Sequence, residues 1–449
     1  MKIELKDCTK ANTCADPVGF VIQYTDRIFR VIHPEAEENI RSFLKSELFR
    51  ILQNDKWLPV TRIAEDVEID GYHLILEHET IPFVTAPYEW TFNMFKDAAL
   101  FLLDLDKLCK KHGYCLKDLH PWNVTFLSGR PIFMDLGSIV RIETRVDSET
   151  DFLRDCYVPL KLWSKGFFYW AHRLISDDYP NRLGTYNYSI YKFNPFFILE
   201  YLYLIFRRII NFPIRTITGN NILPLYYNSL MRIRISRLER YRKESLWGNY
   251  HSNLDNSTNC RFSAIIQILE KYHISSCVDL ACNQGAFTKQ LIKDNKTLKS
   301  AVCIDYDEEA LDQLYLSEKK NMQTKIVPIM RNIIYPVSAL SENKIRHQEQ
   351  GEIVFALALT HHLILTQKIS IMEIFSILAS YTTKYILVEF MPEGLWDGVS
   401  APPVPDWYTE KWFEENFNKN FRLLEKKKIA RNRIVFLGIK EYDRQISRK

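Results

Sequence analysis

Two acids, a tight turn and a histidine pair are the residues of this chain whose types and spacing suit chemistry. The segment ISSCVDLACNQGAFTKQLIKD sets Asp279 near the end of an apolar run, places Ala281, Asn283 and Gly285 in a turn, and then opens a helical pattern. A second apolar run, SAVCIDYD, reaches Asp305 twenty residues past Gly285. An acid there accepts hydrogen bonds from two ribose hydroxyls. A turn that receives a pyrophosphate uses glycines so that backbone comes close, whereas Ala281 and Asn283 carry side chains. Asn283 tolerates a left-handed backbone, so the turn itself survives. Asp279 repels phosphate and suits an ammonium. S-adenosylmethionine has a ribose, an adenine and an ammonium but no phosphate, and these residues predict it over a dinucleotide. Asn332, following the run TKIVPIM, sits where a side chain can hydrogen-bond the adenine amino group.

Methyl transfer from such a cofactor is an in-line displacement in which the protein mainly aligns the acceptor. An alcohol acceptor also needs a base, and histidine is the right type near neutral pH. His361 and His362 follow the strand-like EIVFALALT directly, at the carboxyl edge where open α/β sheets bind ligands. Adjacent side chains diverge, so one of the two faces the acceptor. The plainer reading is that they cap the next helix or pack under the cofactor. Glu389, near the end of KYILVEFMP, is the second candidate base, or else it orients a histidine or pairs with a cation.

The elements that must position these residues are helices and strands alternating from residue 246 to 449, as a parallel α/β sheet requires. FRLLEKKKIARNRIVFLGIK reads as a closing hairpin, expected of methyltransferase sheets and not of the dehydrogenase type. The fold class is α/β: a C-terminal class I methyltransferase Rossmann-like sheet, with an N-terminal α+β domain over 1–145 and a helical, aromatic and basic extension over 146–245. The polar string RVDSETDFLRD reads as the boundary between the last two.

In the N-terminal domain, LKDLHPWNVTF followed by PIFMDLGS resembles the catalytic core of kinase-like folds, particularly small-molecule kinases. The resemblance gives Asp118 the catalytic position, Asn123 a metal-facing one five residues later, and Asp135 with Gly137 the metal-binding strand end. The helix TFNMFKDAALFLLDLDKLCKKHG fits the large helix before such a loop. The phosphate-gripping side is eroded: Gly19 stands alone, the strand lysine is absent, and Arg30 is the nearest cation, with Glu47 on the helix ENIRSFLKSELFRIL as its expected partner. ATP and Mg2+ are thus the cofactors this region implies, with a degenerate scaffold the favoured reading.

The strings VDLACNQGAF, LALTHHLIL and VEFMP, with APYEWTFNMFKDAAL and GYCLKDLHPWNVTFLSGRPIFMDLGS upstream, resemble nodulation-protein-like class I methyltransferases over nearly the whole chain. The family pattern has Gly at 281 and an acid at 332, and Ala281 and Asn332 depart from it. The resemblance implies O-methylation of a glycan or glycolipid. Alternatives are a bifunctional kinase–methyltransferase acting on a surface polysaccharide, an RNA methyltransferase using the basic stretch Arg232, Arg234, Arg237, Arg240, Arg242 and Lys243, and a non-catalytic scaffold that senses S-adenosylmethionine. A solvated helix face or an anionic-lipid contact is the plainer account of those basic residues.

The 449 residues exceed one ordinary core. A formal charge of +4 is small for this size and argues little for nucleic acid. The nine cysteines are odd in number, scattered and without paired metal-ligand spacing, which reads as reduced thiols in a cytosolic protein. MKIELKDCTK lacks the apolar core of a signal peptide. FNPFFILEYLYLIFRRIINFPI is interrupted by Glu200, Arg207 and Arg208, so it is expected not to span a membrane but to be buried or to lie on the inner membrane surface.

Overall fold

The computed structural model describes residues 1–10, 16–144, 148–176, 224–241, 256–321, 324–334, 350–396 and 399–440. The apolar run around Glu200, together with Arg242, Lys243 and the expected junction at 245–246, lies outside them. No described helix is long and apolar enough to cross a membrane.

The N-terminal unit begins with an antiparallel sheet of β1 (Thr9–Lys10), β2 (Gly19–Tyr24), β3 (Arg27–Ile32), β4 (Thr61–Ile63) and β5 (Ile75–His78), in the order β1-β2-β3-β5-β4. Two helices, Glu37–Leu44 and Glu47–Asn54, fill the connection from β3 to β4. The sequence predicts one helix here. Ser46 instead breaks it, its hydroxyl accepting the Phe49 N–H at 3.1 Å to cap the second helix.

The helix Phe92–Lys111 follows, capped by Thr91, and buries Ala98, Ala99, Leu102, Leu103 and Leu105 at helical spacing. Two small hairpin-like pairings come next: β6 (Tyr114–Leu116) with β9 (Ile139–Arg141), and β7 (Val124–Leu127) with β8 (Arg130–Phe133). The expected boundary near residue 146 does not divide the core. Phe152, Leu153, Cys156, Tyr157, Leu160 and Trp163 pack into the same apolar cluster as Leu102 and Leu116, and Met231 and Ile235 of the helix Pro224–Ser236 join it. Burial of that many large side chains makes the helices part of the N-terminal unit.

The C-terminal unit is one seven-stranded sheet. Its strands are β10 (Ser276–Leu280), β11 (Ser300–Asp305), β12 (Ile326–Met330), β13 (Gly351–Ala356), β14 (Thr382–Phe390), β15 (Phe421–Ala430) and β16 (Arg433–Lys440). The order is β12-β11-β10-β13-β14-β16-β15. The first five are parallel, and β16 inserts antiparallel between β14 and β15. The central strands are buried on both faces, which is why they read as continuous apolar runs. The chain reverses direction across the sheet between β10 and β13, and this switch point opens at the carboxyl ends, where the candidate residues gather. The edge strand β15 carries Lys426, Lys427 and Lys428 on its exposed stretch. At the other edge, β12 contains Pro328, which has no N–H to give.

The two units meet over a polar, largely buried interface. The helix Glu308–Glu318 presents Glu308, Asp312, Tyr315 and, just beyond its end, Lys319 to the start of the helix Phe92–Lys111. Asp312 accepts the Asn93 backbone N–H at 3.1 Å and its side-chain amide at 2.6 Å. Asp97 accepts both Tyr315 Oη and Lys319 Nζ at 2.6 Å. Glu308 accepts the Phe92 N–H at 3.3 Å and Trp163 Nε1 at 3.2 Å, and its burial there pushes its pKa up to about 7.

Candidate active site

Three left-handed residues, at alternate positions, build the turn after β10. Ala281, Asn283 and Gly285 have φ of 56°, 51° and 66°. Glycine adopts this region freely. Alanine there costs roughly 1–2 kcal/mol, strain of the kind that persists at functional sites. At Gly285 a Cβ would also come within 3.0 Å of Leu314.

Asp305 holds the turn in place. One carboxylate oxygen accepts the Asn283 N–H at 2.7 Å and the other accepts the Asp307 N–H at 2.8 Å. The Tyr306 N–H also donates to this carboxylate, which still has acceptor capacity left for a ligand. Asp279 is fully enclosed, its carboxylate accepting only Thr288 Oγ1, at 2.6 Å. Burial pushes its pKa up to about 7 and raises that of Asp305 as well. Tyr306, directly after Asp305, is 75% exposed. An aromatic next to a strand-end acid is a signal legible in the sequence, though Tyr306 is not among the residues expected there. Asn332 lies two residues past β12, and its Oδ1 accepts the Ile334 N–H at 2.9 Å.

Strand β13 stops at Ala356 and does not run directly into the histidines. Ala358 turns the chain at φ 52°, and the histidines open a single wide helical turn at His362–Thr366. The rings lie 4.1 Å apart. His361 is buried, with no hydrogen-bond partner at Nδ1, and burial together with His362 and Arg433 lowers its pKa to about 3. His362 is half-buried and lowered by burial alone.

Of the three roles read for Glu389, as base, as partner of a histidine or as partner of a cation, the geometry shows cation pairing. The side chain is fully buried, and its Oε2 accepts Arg433 Nη1 and the Ala358 N–H, both at 2.7 Å. Thr360 Oγ1 donates to the Glu389 carbonyl at 2.9 Å. Glu389 thus fixes the loop that carries the histidines directly, while Arg433, not singled out from sequence, balances its charge.

In the N-terminal unit, Asp118, Asn123 and Asp135 do come together. Asn123 Nδ2 donates to the Asp118 carbonyl at 3.3 Å, and Ser138 ties the Asp118 backbone to the turn after Asp135. The expected Arg30–Glu47 pair does not form. Glu47 heads the second helix and lies 3.6 Å from His112. Arg30 crosses instead to Asp135 at 3.2 Å and Asp16 at 3.0 Å. A guanidinium therefore sits on the carboxylate that the kinase-like reading reserves for metal. Part of the basic stretch is engaged within the chain: Arg240, largely buried, pairs with Glu309 at 3.2 Å, and Arg232 pairs with Asp104 at 2.9 Å from an exposed position.

No family model matches the chain. The nodulation protein NoeA of Rhizobium meliloti (strain 1021) is 24% identical over 419 residues, 85% of each chain. Among solved structures, the N-methyltransferase NodS from Bradyrhizobium japonicum WM9, in complex with S-adenosyl-L-homocysteine, is 11% identical, with a TM-score of 0.32 over 43% of this chain and 92% of that one. A SAM-dependent methyltransferase from Aquifex aeolicus is 14% identical, with a TM-score of 0.33 over 44% of this chain and all of that one. By its strand order and inserted hairpin, the C-terminal unit has the class I S-adenosylmethionine-dependent methyltransferase fold, and the chain as a whole is distantly similar to nodulation-type proteins.

Proposed function

We propose that this chain transfers a methyl group from S-adenosylmethionine to a hydroxyl of a glycan or glycolipid. One observation carries the cofactor assignment. Asp279 and Asp305 are two enclosed carboxylates beside a left-handed turn, and none of the described ion pairs supplies a cation to either. Buried carboxylates without a counter-charge call for a cationic ligand. The donor set fits this one: Asp305 for the ribose hydroxyls, Asp279 for the ammonium, the Tyr306 ring and Asn332 for adenine. When bound, the cofactor supplies a methyl group already activated by a positive sulfur. The chain's own residues have to align the acceptor and take its proton. His362 suits proton uptake better than His361, because a charged His361 would stand buried near the Arg433 guanidinium.

The glycan or glycolipid class follows the resemblance of the whole chain to nodulation-type proteins. We read the N-terminal unit as a kinase-like scaffold, a reading supported by its antiparallel sheet with a helical insertion and by the convergence of Asp118, Asn123 and Asp135. With Arg30 on Asp135, that scaffold suits holding an acceptor better than phosphoryl transfer. Pairing of Arg232 and Arg240 with carboxylates of this chain weighs against an RNA acceptor. Purified protein incubated with methyl-labelled cofactor and separated glycan, lipid and RNA fractions should label glycan or glycolipid. Label confined to RNA would overturn the acceptor class.

The pKa of Asp279 gives a pH test. Its folded-state value, about 7, lies above the unfolded value near 3.8, so the ligand-free fold loses stability as pH rises through that interval. An ammonium prefers the ionised carboxylate, so binding expels a proton when Asp279 is protonated. Affinity for S-adenosylhomocysteine should therefore fall about tenfold per pH unit below pH 7 and level off above it. Titration calorimetry in buffers of different ionisation enthalpy reads both the slope and the proton release. A flat profile from pH 5.5 to 8 would remove Asp279 from the ammonium site.

A further inference from the structure

The N-terminal unit reaches the ribose corner of the sheet through a buried ion pair. Arg331, the first residue past β12, donates its backbone N–H to the Asp305 carbonyl at 2.8 Å. Its side chain turns the other way, and Nη2 donates to Glu89 Oε1 of the N-terminal unit. Both side chains are buried, at 9% and 1% exposure. Glu89 is itself fixed, its Oε2 accepting the Ala86 N–H at 2.8 Å inside the short helical turn Pro87–Glu89. The next residue after Arg331 is Asn332. The backbone that carries the adenine contact and meets the ribose acid is therefore gripped from outside the sheet.

The same stretch of the N-terminal unit also touches the far side of the site. Phe83 is buried in one cluster with Ile329, Leu359 and Leu363, which flank the end of β12 and the histidine turn. Residues 83–89 thus lie across the carboxyl edge of the sheet, from the histidines to the ribose corner.

We propose that Glu89 is a positioning residue for the cofactor: acting through Arg331, it holds the Asp305–Asn332 corner in binding geometry, so that the N-terminal unit is part of the S-adenosylmethionine site. The inference rests on the methyltransferase reading of the preceding subsection. Removing the carboxylate from beside a buried guanidinium unbalances its charge and shifts the side chain, and that shift is passed to the adjoining backbone N–H that meets the Asp305 carbonyl. The other interface bonds, at Asp97, Asn93 and Trp163, lie along the helix Glu308–Glu318 and do not involve the β12 end.

The test compares full-length wild type, Glu89→Gln, Arg331→Lys and Asp97→Asn by calorimetric titration with S-adenosylhomocysteine, alongside thermal melts. Wild type should bind. Glu89→Gln should bind about tenfold more weakly, within the range by which residues outside ligand contact transmit coupling. Asp97→Asn, which removes the charge and one of the two acceptor oxygens behind two interface bonds, should melt lower yet keep its affinity within about twofold. Equal affinity in Glu89→Gln and wild type would overturn the proposal. So would an equal loss in Asp97→Asn, which would show general loosening of the interface. Should Glu89→Gln fail to fold, Arg331→Lys decides: it keeps the charge and the backbone N–H but loses the reach and fork of the guanidinium, and unchanged affinity there would equally overturn the assignment. A wild type that does not bind at all would fail the cofactor reading itself, an outcome distinct from the others.

Discussion

Asp305→Ala should abolish measurable cofactor binding at concentrations that saturate the wild type. Hydrogen bonds from two ribose hydroxyls to a charged acceptor are worth roughly 1.5–3 kcal/mol. The structure adds to that figure, because the same carboxylate also anchors the Asn283 and Asp307 backbone N–H groups. Without it, the left-handed turn and the start of the helix Glu308–Glu318 lose their common acceptor. The combined loss should be about 3 kcal/mol or more, at least a hundredfold in affinity. Asp305→Asn separates the two contributions. Its single carbonyl oxygen can still accept from one backbone group, while its amide opposes the other N–H. It should fall between wild type and Asp305→Ala by calorimetry with S-adenosylhomocysteine. Wild-type affinity in Asp305→Ala would place the ribose elsewhere.

His362→Ala should cut the rate of methyl transfer by about 10²–10⁴ while leaving S-adenosylhomocysteine affinity within about twofold, the signature of a lost general base. Because burial lowers the pKa of His362 below its ordinary 6.5, turnover at saturating cofactor should rise with pH and level off before neutrality. His361→Ala should behave differently. That ring is buried beside Arg433 and held neutral, so its removal should lower the melting temperature more than the rate. If His361→Ala loses turnover and His362→Ala does not, the roles are exchanged. If both keep full turnover, the proton leaves by another route. Glu389 is poorly placed to supply that route, since its charge is already shared between Arg433 and the Ala358 N–H.

What could be read from sequence was local. A buried run ending in an acid, a turn of residues that tolerate positive φ, and a helix pattern occupy one short stretch, and together they specified β10, its turn and the following helix. The second acid and the closing hairpin were legible for the same reason. The pairs that fix the site were not. Arg433 and Glu389 are 44 residues apart, Arg30 and Asp135 are 105, and Arg331 and Glu89 are 242. Nothing in periodicity or turn chemistry selects one arginine for one carboxylate at such separations. The misassigned Arg30–Glu47 pair shows this: the kinase-like resemblance offered Glu47 as the helix partner of a strand cation, but the break at Ser46 leaves its side chain 70% exposed. The expected division near residue 146 failed differently. A polar string marked a connection, and the aromatic residues beyond it returned to the same core.

The two edges of the C-terminal sheet carry different safeguards against aggregation. An open edge strand is a template for another chain's backbone. At β15, the exposed Lys427 and Lys428 make such pairing electrostatically costly, while Lys426 is engaged with Glu410 and Glu414. Edge β12 has no comparable charge and is IVPIM, apolar apart from its proline. It is shielded at both ends by the N-terminal unit: Glu89 engages Arg331 after the strand, and the turn at Gly129 lies against Thr324 before it. Cutting the chain to isolate the methyltransferase sheet would therefore bare its less protected margin, leaving Pro328 as the main obstacle to strand addition.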